Sequence, residues 1–280
     1  MSLKLMYITN QPEIAAIAQE SGVDRIFVDM EYIGKDTRQP GDTVKSRHTL
    51  EDVRKIRQVL NRSELLVRVN PITPKTLEFM GSEQEITASI EAGADILMLP
   101  MAKTVEQVSQ FVRYVDGRAK TILLLETAEA AKDIRKILDI GGIDQVHIGL
   151  NDLHLAYGKQ FMFELLTDGT VEKLCQVVGS YGIPYGFGGI ARIGLGLLPA
   201  EYVIGEHYRL GSSAAILSRS FCNIHTMSDI SRIRLLFLEE LTRIRAYEAK
   251  LGSATAEELE KNRRKTLILV EKISRNMKGN

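Results

Sequence analysis

Along the chain, short apolar runs alternate with longer segments whose apolar positions recur at helical spacing. The runs at residues 3–8, 25–30, 64–69, 95–99, 121–125, 145–148, 185–187 and 208–211 predict eight strands. They are solidly apolar rather than alternating, as suits strands covered on both faces. Between them, Thr49 with Asp52, Ser82 with Glu85 and Thr104 with Gln107 have the spacing of a helix cap whose third helical residue reaches back. Gly22, Gly93 and Gly141 stand where helices should stop. Eight repeats of strand-then-helix predict an α/β fold, a (β/α)8 TIM barrel, although an open doubly wound sheet would share most of these signals.

Beyond residue 226 the pattern changes. Ile230, Ile233, Phe237, Leu241, Ile244 and Leu251 recur at helical spacing through a charged segment, which breaks at Gly252-Ser253. A new cap, Thr255 with Glu258, then leads into Leu259, Leu267, Val270 and Ile273. This pattern predicts a barrel domain over residues 1–225. A C-terminal helical hairpin over 226–280 would pack on that barrel or on a neighbouring subunit.

Composition narrows the field. At 280 residues the chain suits one barrel domain. Its 36 basic side chains balance 36 acidic ones, which removes any global electrostatic reason to expect nucleic acid or an anionic membrane as partner. Only Cys175 and Cys222 occur, without ligand-like spacing. The N-terminal residues lack the apolar core of a secretory signal, and no run approaches the roughly 18 apolar residues of a membrane helix. A cytoplasmic protein is expected.

The candidate chemistry lies at strand ends. Glu126 follows the run at 121–125, and Asp152 closes the stretch 146–151. In a barrel such positions converge on one mouth. Two carboxylates there suit Mg²⁺ or Mn²⁺, which keep further positions for water or substrate oxygens; an acid after a strand is also a common cap or turn residue. Arg68, ending the third strand, can clamp a carboxylate through two parallel hydrogen bonds, or it can balance the acids of Asp29-Met30-Glu31. The glycine-rich stretch from Gly186 to Gly196 fits no nucleotide fingerprint and reads as a flexible loop closing the mouth. His147 reads as a satisfied barrel residue, and His207 as lying before the last strand, away from the mouth.

Several ordered segments are similar to one family. They are Phe27-Val28-Asp29-Met30-Glu31, Val67-Arg68, Glu91-Ala92-Gly93-Ala94-Asp95 leading to Leu99-Pro100-Met101, Leu125-Glu126-Thr127, and Gly141-Gly142-Ile143-Asp144 leading to Ile148-Gly149-Leu150-Asn151-Asp152-Leu153. Over residues 22–220 the chain resembles the HpcH/HpaI aldolase and citrate lyase β-subunit family. The resemblance implies a metal-dependent lyase barrel in which Glu126 and Asp152 match the metal ligands. It makes Arg68 the residue that orients a keto acid carboxylate, and it places Asn151 at a substrate contact beside Asp152. Asp29 and Glu31 belong to the same mouth, and oligomers exchanging C-terminal helices are implied.

The chain also departs from the pattern. Tyr32 stands where hydroxy-keto-acid aldolases of the family carry a histidine that moves the hydroxyl proton, and a phenol of pKa about 10 is a poor base near neutrality. The long polar segment 33–47, with Lys35, Arg38, Lys45 and Arg47, should extend over the mouth. His48 behind it is either a substitute base or a solvent-exposed residue before a helix cap. The expected function is a carbon–carbon lyase of aldolase type acting on a 2-keto acid through a metal-stabilised, pyruvate-like enolate. Asp29, Glu31, Arg68 and His48 form the catalytic set; Arg68, Asn151 and Asp152 bind substrate; Glu126 and Asp152 hold Mg²⁺ or Mn²⁺. The alternatives are a citrate-lyase-like or malyl-thioester-like lyase, or a catalytically silent barrel that binds a keto acid or a partner protein. The expected partners are the keto acid and further copies of the chain in a homo-oligomer, with neither nucleic acid nor membrane.

Overall fold

The computed structural model describes residues 2–35, 47–222 and 229–278. Eight parallel strands close into a barrel in chain order, each paired with its neighbours and β8 with β1. They are β1 (Lys4–Ile8), β2 (Arg25–Asp29), β3 (Glu64–Arg68), β4 (Ile96–Leu99), β5 (Lys120–Leu125), β6 (Gln145–Ile148), β7 (Tyr185–Ile190) and β8 (Ala214–Leu217). The described helices around them are α1 (Pro12–Glu20), α2 (Leu50–Val59), α3 (Ser82–Glu91), α4 (Val105–Val115), α5 (Ala128–Lys132), α6 (Ile134–Leu138), α7 (Leu150–Ala156), α8 (Glu164–Thr167), α9 (Thr170–Ser180) and α10 (Ala200–Arg209). The tail adds α11 (Ile230–Gly252) and α12 (Ala256–Lys278).

Strand parity explains the solid apolar runs. Met6, Phe27, Leu66, Ile96, Met98, Ile122, Leu124 and Ala214 fill the barrel interior, while alternate residues such as Leu5, Ile26, Val67 and Leu123 face the helices. The strand beginnings are tied by charge. Arg25 donates from Nε to Glu64 at 3.0 Å and from Nη1 to Gln145 at 2.6 Å, and Lys120 reaches Glu64 at 2.6 Å. The opposite end is left for chemistry.

The capping boxes at Thr49 and Thr104 are present, each with reciprocal bonds to Asp52 and Gln107. Ser82 is different. The cap of α3 is Gly81, with a positive φ of 92°; the Ser82 hydroxyl accepts from Thr73 N–H, and the Glu85 carboxylate turns inward to Asn70. The eighth strand also departs from the sequence expectation. Residues 208–211 are the end of α10 and its turn, because Ala200, Val203, Ile204 and His207 form a buried helical stripe; the strand is Ala214–Leu217. His207 therefore sits on a helix, stacked on Phe187 at 3.8 Å.

The glycine-rich stretch is likewise strand rather than loop through Ile190. A Cβ at Gly186 would lie 2.3 Å from the Ala214 carbonyl oxygen and 2.9 Å from His147 Nδ1, so β7 needs glycine to close against β8.

The tail packs on its own barrel, α11 against α1 and α10, and α12 against α10 and α8. Ile233, Phe237, Leu241 and Ile244 of α11 are buried, each such side chain contributing about 1.5–3 kcal/mol relative to exposure. Tyr7 of β1 and Phe221 meet Phe237 edge-on at 4.9 and 5.4 Å, so the tail and the barrel share one apolar cluster. Among the described residues no helix is long and apolar enough to cross a membrane.

Candidate active site

Asp29 and Arg68 end adjacent strands in register, which places their side chains together at the carboxyl end of the barrel. Arg68 donates from Nε to Asp29 Oδ1 at 2.8 Å and from Nη2 to Asp29 Oδ2 at 2.9 Å, with Glu31 Oε2 a further 3.3 Å from Nη2. The guanidinium also lies over Phe27, 5.6 Å from its ring centre. Both readings of Arg68 meet here. Its Nε–Nη2 fork is occupied by Asp29, so the expected two-pronged grip on substrate does not use that edge; among the described residues no bond engages Nη1, whose two N–H groups can face a ligand carboxylate.

A second cation, Lys35, lies buried against the same carboxylate. Its Nζ donates to Asp29 Oδ2 at 2.7 Å and to the Glu31 carbonyl at 3.3 Å. Burial alone would raise the Asp29 pKa, but Arg68 and then Lys35 hold it well below the usual carboxylate range. Burial would lower Arg68, and Asp29 and Glu31 keep it above the ordinary arginine value. The β2–α2 connection begins on a firm base. Asn70, fully buried, accepts from Tyr32 and Ile33 N–H and donates to Met30 O and Glu85.

His48 is not the solvent-exposed residue of the sequence reading. It is half-buried, and its Nδ1 accepts the Asp29 N–H at 2.9 Å while its own N–H donates to Asp29 O. With Nδ1 accepting, Nε2 carries the hydrogen and is a donor, so His48 is not poised as a base in this arrangement. Burial lowers its pKa further, against the opposing pull of Asp29. Tyr32 stands nearly half exposed, edge-on to Phe79; burial first, then Glu85 and Glu78, push its phenol upward and away from base chemistry. Arg47 is exposed, and Arg38 and Lys45 lie outside the described residues.

Glu126 follows β5 and is buried. Its Oε1 accepts the Met101 N–H at 3.0 Å, and Met101 adopts a left-handed φ of 52°, uncommon for a side chain of its size. A Cβ at Gly149 would lie 2.8 Å from Glu126 Cβ and 2.9 Å from its Oε2, so glycine at the end of β6 makes room for the carboxylate. Burial first pushes Glu126 up to about 8; Arg68 opposes this, while Asp152 and Glu31 add to it. Asp152, half-buried, and Asn151, exposed, stand together in the first turn of α7.

A buried acid whose pKa is pushed upward beside other carboxylates is an acid short of a cation, and the oxygen donors suit a hard divalent ion. No group of three or more His, Cys, Asp or Glu among the described residues forms a ready metal cage. The set of Glu126 and Asp152 therefore fits an ion that takes the rest of its oxygens from water and substrate. Lys35, Met101 and Gly149 are contributors the sequence reading missed as site residues. Met101 and Gly149 lay inside the segments that carried the resemblance, but a backbone N–H and an absent side chain leave no mark in residue type.

Comparison with solved structures places the fold. An HpcH/HpaI aldolase from Desulfitobacterium hafniense DCB-2 superposes with a TM-score of 0.61 at 17% identity, over 83% of this chain and 93% of that one. An HpcH/HpaI aldolase/citrate lyase family protein from Burkholderia cenocepacia J2315 gives 0.59 at 15% identity, over 83% and 95% of the two chains. The citrate synthase SbnG gives 0.61 at 15% identity, over 84% and 94%. No curated protein matches the chain. The sequence pattern of the HpcH/HpaI aldolase/citrate lyase family matches residues 4–163, more than half of the protein, and spans β1 to β6 with Asp29, Arg68, Glu126 and Asp152. By that match this eight-stranded barrel belongs to the HpcH/HpaI aldolase/citrate lyase family.

Proposed function

We propose that the protein is an aldolase-type carbon–carbon lyase acting on a 2-keto acid. The observation that carries this reading is that Arg68, Glu126 and Asp152 stand at the carboxyl ends of β3, β5 and β6, at one mouth of the closed barrel. Arg68, fixed by Asp29 and Glu31, offers its Nη1 edge to the keto acid carboxylate. Its rigidity is useful, because a clamp already held in place loses little freedom on binding. Glu126 and Asp152 are the residues that would hold Mg²⁺ or Mn²⁺. When bound, such an ion supplies Lewis-acid charge to the keto oxygen. Retro-aldol cleavage turns the hydroxyl-bearing carbon into an aldehyde, gives up the hydroxyl proton to solvent and leaves the bonding electron pair on the carbon next to the keto group as an enolate, whose charge the positive edge of Arg68 would help to hold.

Neither Tyr32 nor His48 is set to take the hydroxyl proton; a citrate-lyase-like or malyl-thioester-like substrate is the second reading, because those relatives also lack the histidine that Tyr32 replaces here. The test of the first is exchange of pyruvate methyl protons with deuterium, followed by proton NMR with Mn²⁺-free Mg²⁺ present and then removed by chelator. Exchange that depends on the ion and is lost in Glu126→Gln is the expected result. A parent protein that binds pyruvate without any exchange would instead be a silent keto-acid-binding barrel.

A further inference from the structure

Glu85 is buried on α3, 5% exposed, and among the described residues no cation pairs with it. Burial pushes its pKa upward, and the bonds from Asn70 pull the other way. A carboxylate kept out of water without a counter-charge costs stability unless its hydrogen bonds are good. Here one residue supplies them at both oxygens. Asn70 N–H donates to Oε2 at 2.9 Å, and Asn70 Nδ2 donates to Oε1 at 2.7 Å.

Those two bonds decide which way the Asn70 amide faces. With Nδ2 turned to Glu85 and to Met30 O at 3.3 Å, Oδ1 accepts Tyr32 N–H at 2.9 Å and Ile33 N–H at 3.0 Å. The reverse orientation would set donors against donors, and an oxygen against a carboxylate and a carbonyl. Met30 O and Tyr32 N–H belong to the two peptide groups on either side of Glu31. One side chain therefore grips both, and Glu31 between them holds its Oε2 3.3 Å from Arg68 Nη2. The acid on α3 is a single side chain removed from the brace on Arg68.

We propose that Glu85 is a positioning residue for Arg68: by taking both donors of Asn70 it fixes the amide that holds the peptide groups flanking Glu31, and with them the carboxylate that braces the guanidinium. The role calls for a group that only accepts, because both Asn70 donors point at it. A glutamine there would set its own N–H groups against one of them. The geometry belongs to the ligand-free protein; only its consequence for ligand binding rests on the keto-acid reading of the mouth.

An exchange of polarity tests this in the full chain. Glu85→Gln keeps the shape and leaves a donor facing a donor. Combining Asn70→Asp with Glu85→Gln repairs the match: the introduced amide can donate to the introduced carboxylate and accept the backbone N–H of position 70, and Tyr32 and Ile33 keep their acceptor. Without ligand, amide hydrogen exchange at Tyr32 and Ile33 should quicken by about tenfold or more in Glu85→Gln, the range of one hydrogen bond to a charged group. The NMR signal of Arg68 Nε–H should shift as well. In saturating Mn²⁺, oxalate should bind Glu85→Gln more weakly while Mn²⁺ affinity holds. All three readings should return toward the parent in the double exchange. Should Glu85→Gln fail to fold, Glu85→Ala, which opens room for solvent at both donors, carries the same comparison. A purely structural role would lower the melting temperature with the Arg68 signal and oxalate affinity at parent values, and that result overturns the assignment. So do unchanged exchange at Tyr32 and Ile33, and a double exchange no nearer the parent than Glu85→Gln. A parent that binds no oxalate sinks the keto-acid reading alone, since the exchange rates and the Arg68 signal need no ligand.

Discussion

Arg68 and Glu126 should fail in different ways. Glu126→Gln keeps the shape and removes a charge from the cation position. Mn²⁺ affinity should fall by at least the roughly 10–100-fold typical of losing an outer partner of a metal site. Arg68→Lys keeps one positive charge but has no planar edge to hold against Asp29 while offering Nη1 outward. Oxalate binding in saturating Mn²⁺ should weaken while Mn²⁺ binding itself persists. Two titrations, ion first and oxalate second, check both outcomes; Mn²⁺ binding by Glu126→Gln equal to the parent's would remove Glu126 from the metal set. At this scale the sequence was most readable where a polar residue interrupts an apolar run, as Asp29, Arg68 and Glu126 do. It was silent on Lys35, because a buried cation in a polar stretch looks like any solvated lysine.

Elements were legible to the extent that local spacing decides them. The caps at Thr49, Thr104 and Thr255 are local devices, and each is present with its reciprocal partner. Ser82 and Glu85 have the same spacing, yet Asn70 at the end of β3 draws Glu85 away, and no local pattern records that. The eighth strand was misplaced for a related reason: a helix buried along one face can end in an apolar run as convincing as a strand. β7 shows how far the barrel depends on absent side chains. Gly186→Ala sets a methyl against a backbone oxygen that has nowhere to move, so the cost should reach or exceed the upper end of the about 1–3 kcal/mol usual for overpacking. A lowered urea midpoint checks it; an unaltered midpoint would mean that β7 and β8 can separate without loss.

The whole molecule carries a built-in acid sensitivity. His207 and His147 are buried, each with one ring nitrogen that has no partner among the described residues, and burial brings them down to about 3 and about 4. A histidine with a depressed folded pKa gains its proton more readily when unfolded. The unfolded chain therefore binds more protons between the ordinary value of 6.5 and the folded value. Stability should fall as pH drops below about 6.5, by roughly 1.4 kcal/mol per pH unit for each such histidine. His207→Gln should make that decline shallower by one proton in denaturation curves taken from pH 7 to pH 4. An identical slope would mean that His207 charges in the folded state. The closed barrel was legible from the eightfold repeat, whereas the tail's docking on α1, α8 and α10 was not, because an amphipathic helix declares that it has a partner without saying which.

Lys35 and His48 are thirteen positions apart in the chain, yet both are fastened to Asp29, one at its carboxylate and the other at its backbone. The two stitches fix Asp29 at two separate points, so the floor of the site does not hang on one contact: a change at Lys35 leaves its backbone anchored by His48, and a change at His48 leaves its carboxylate anchored by Arg68 and Lys35.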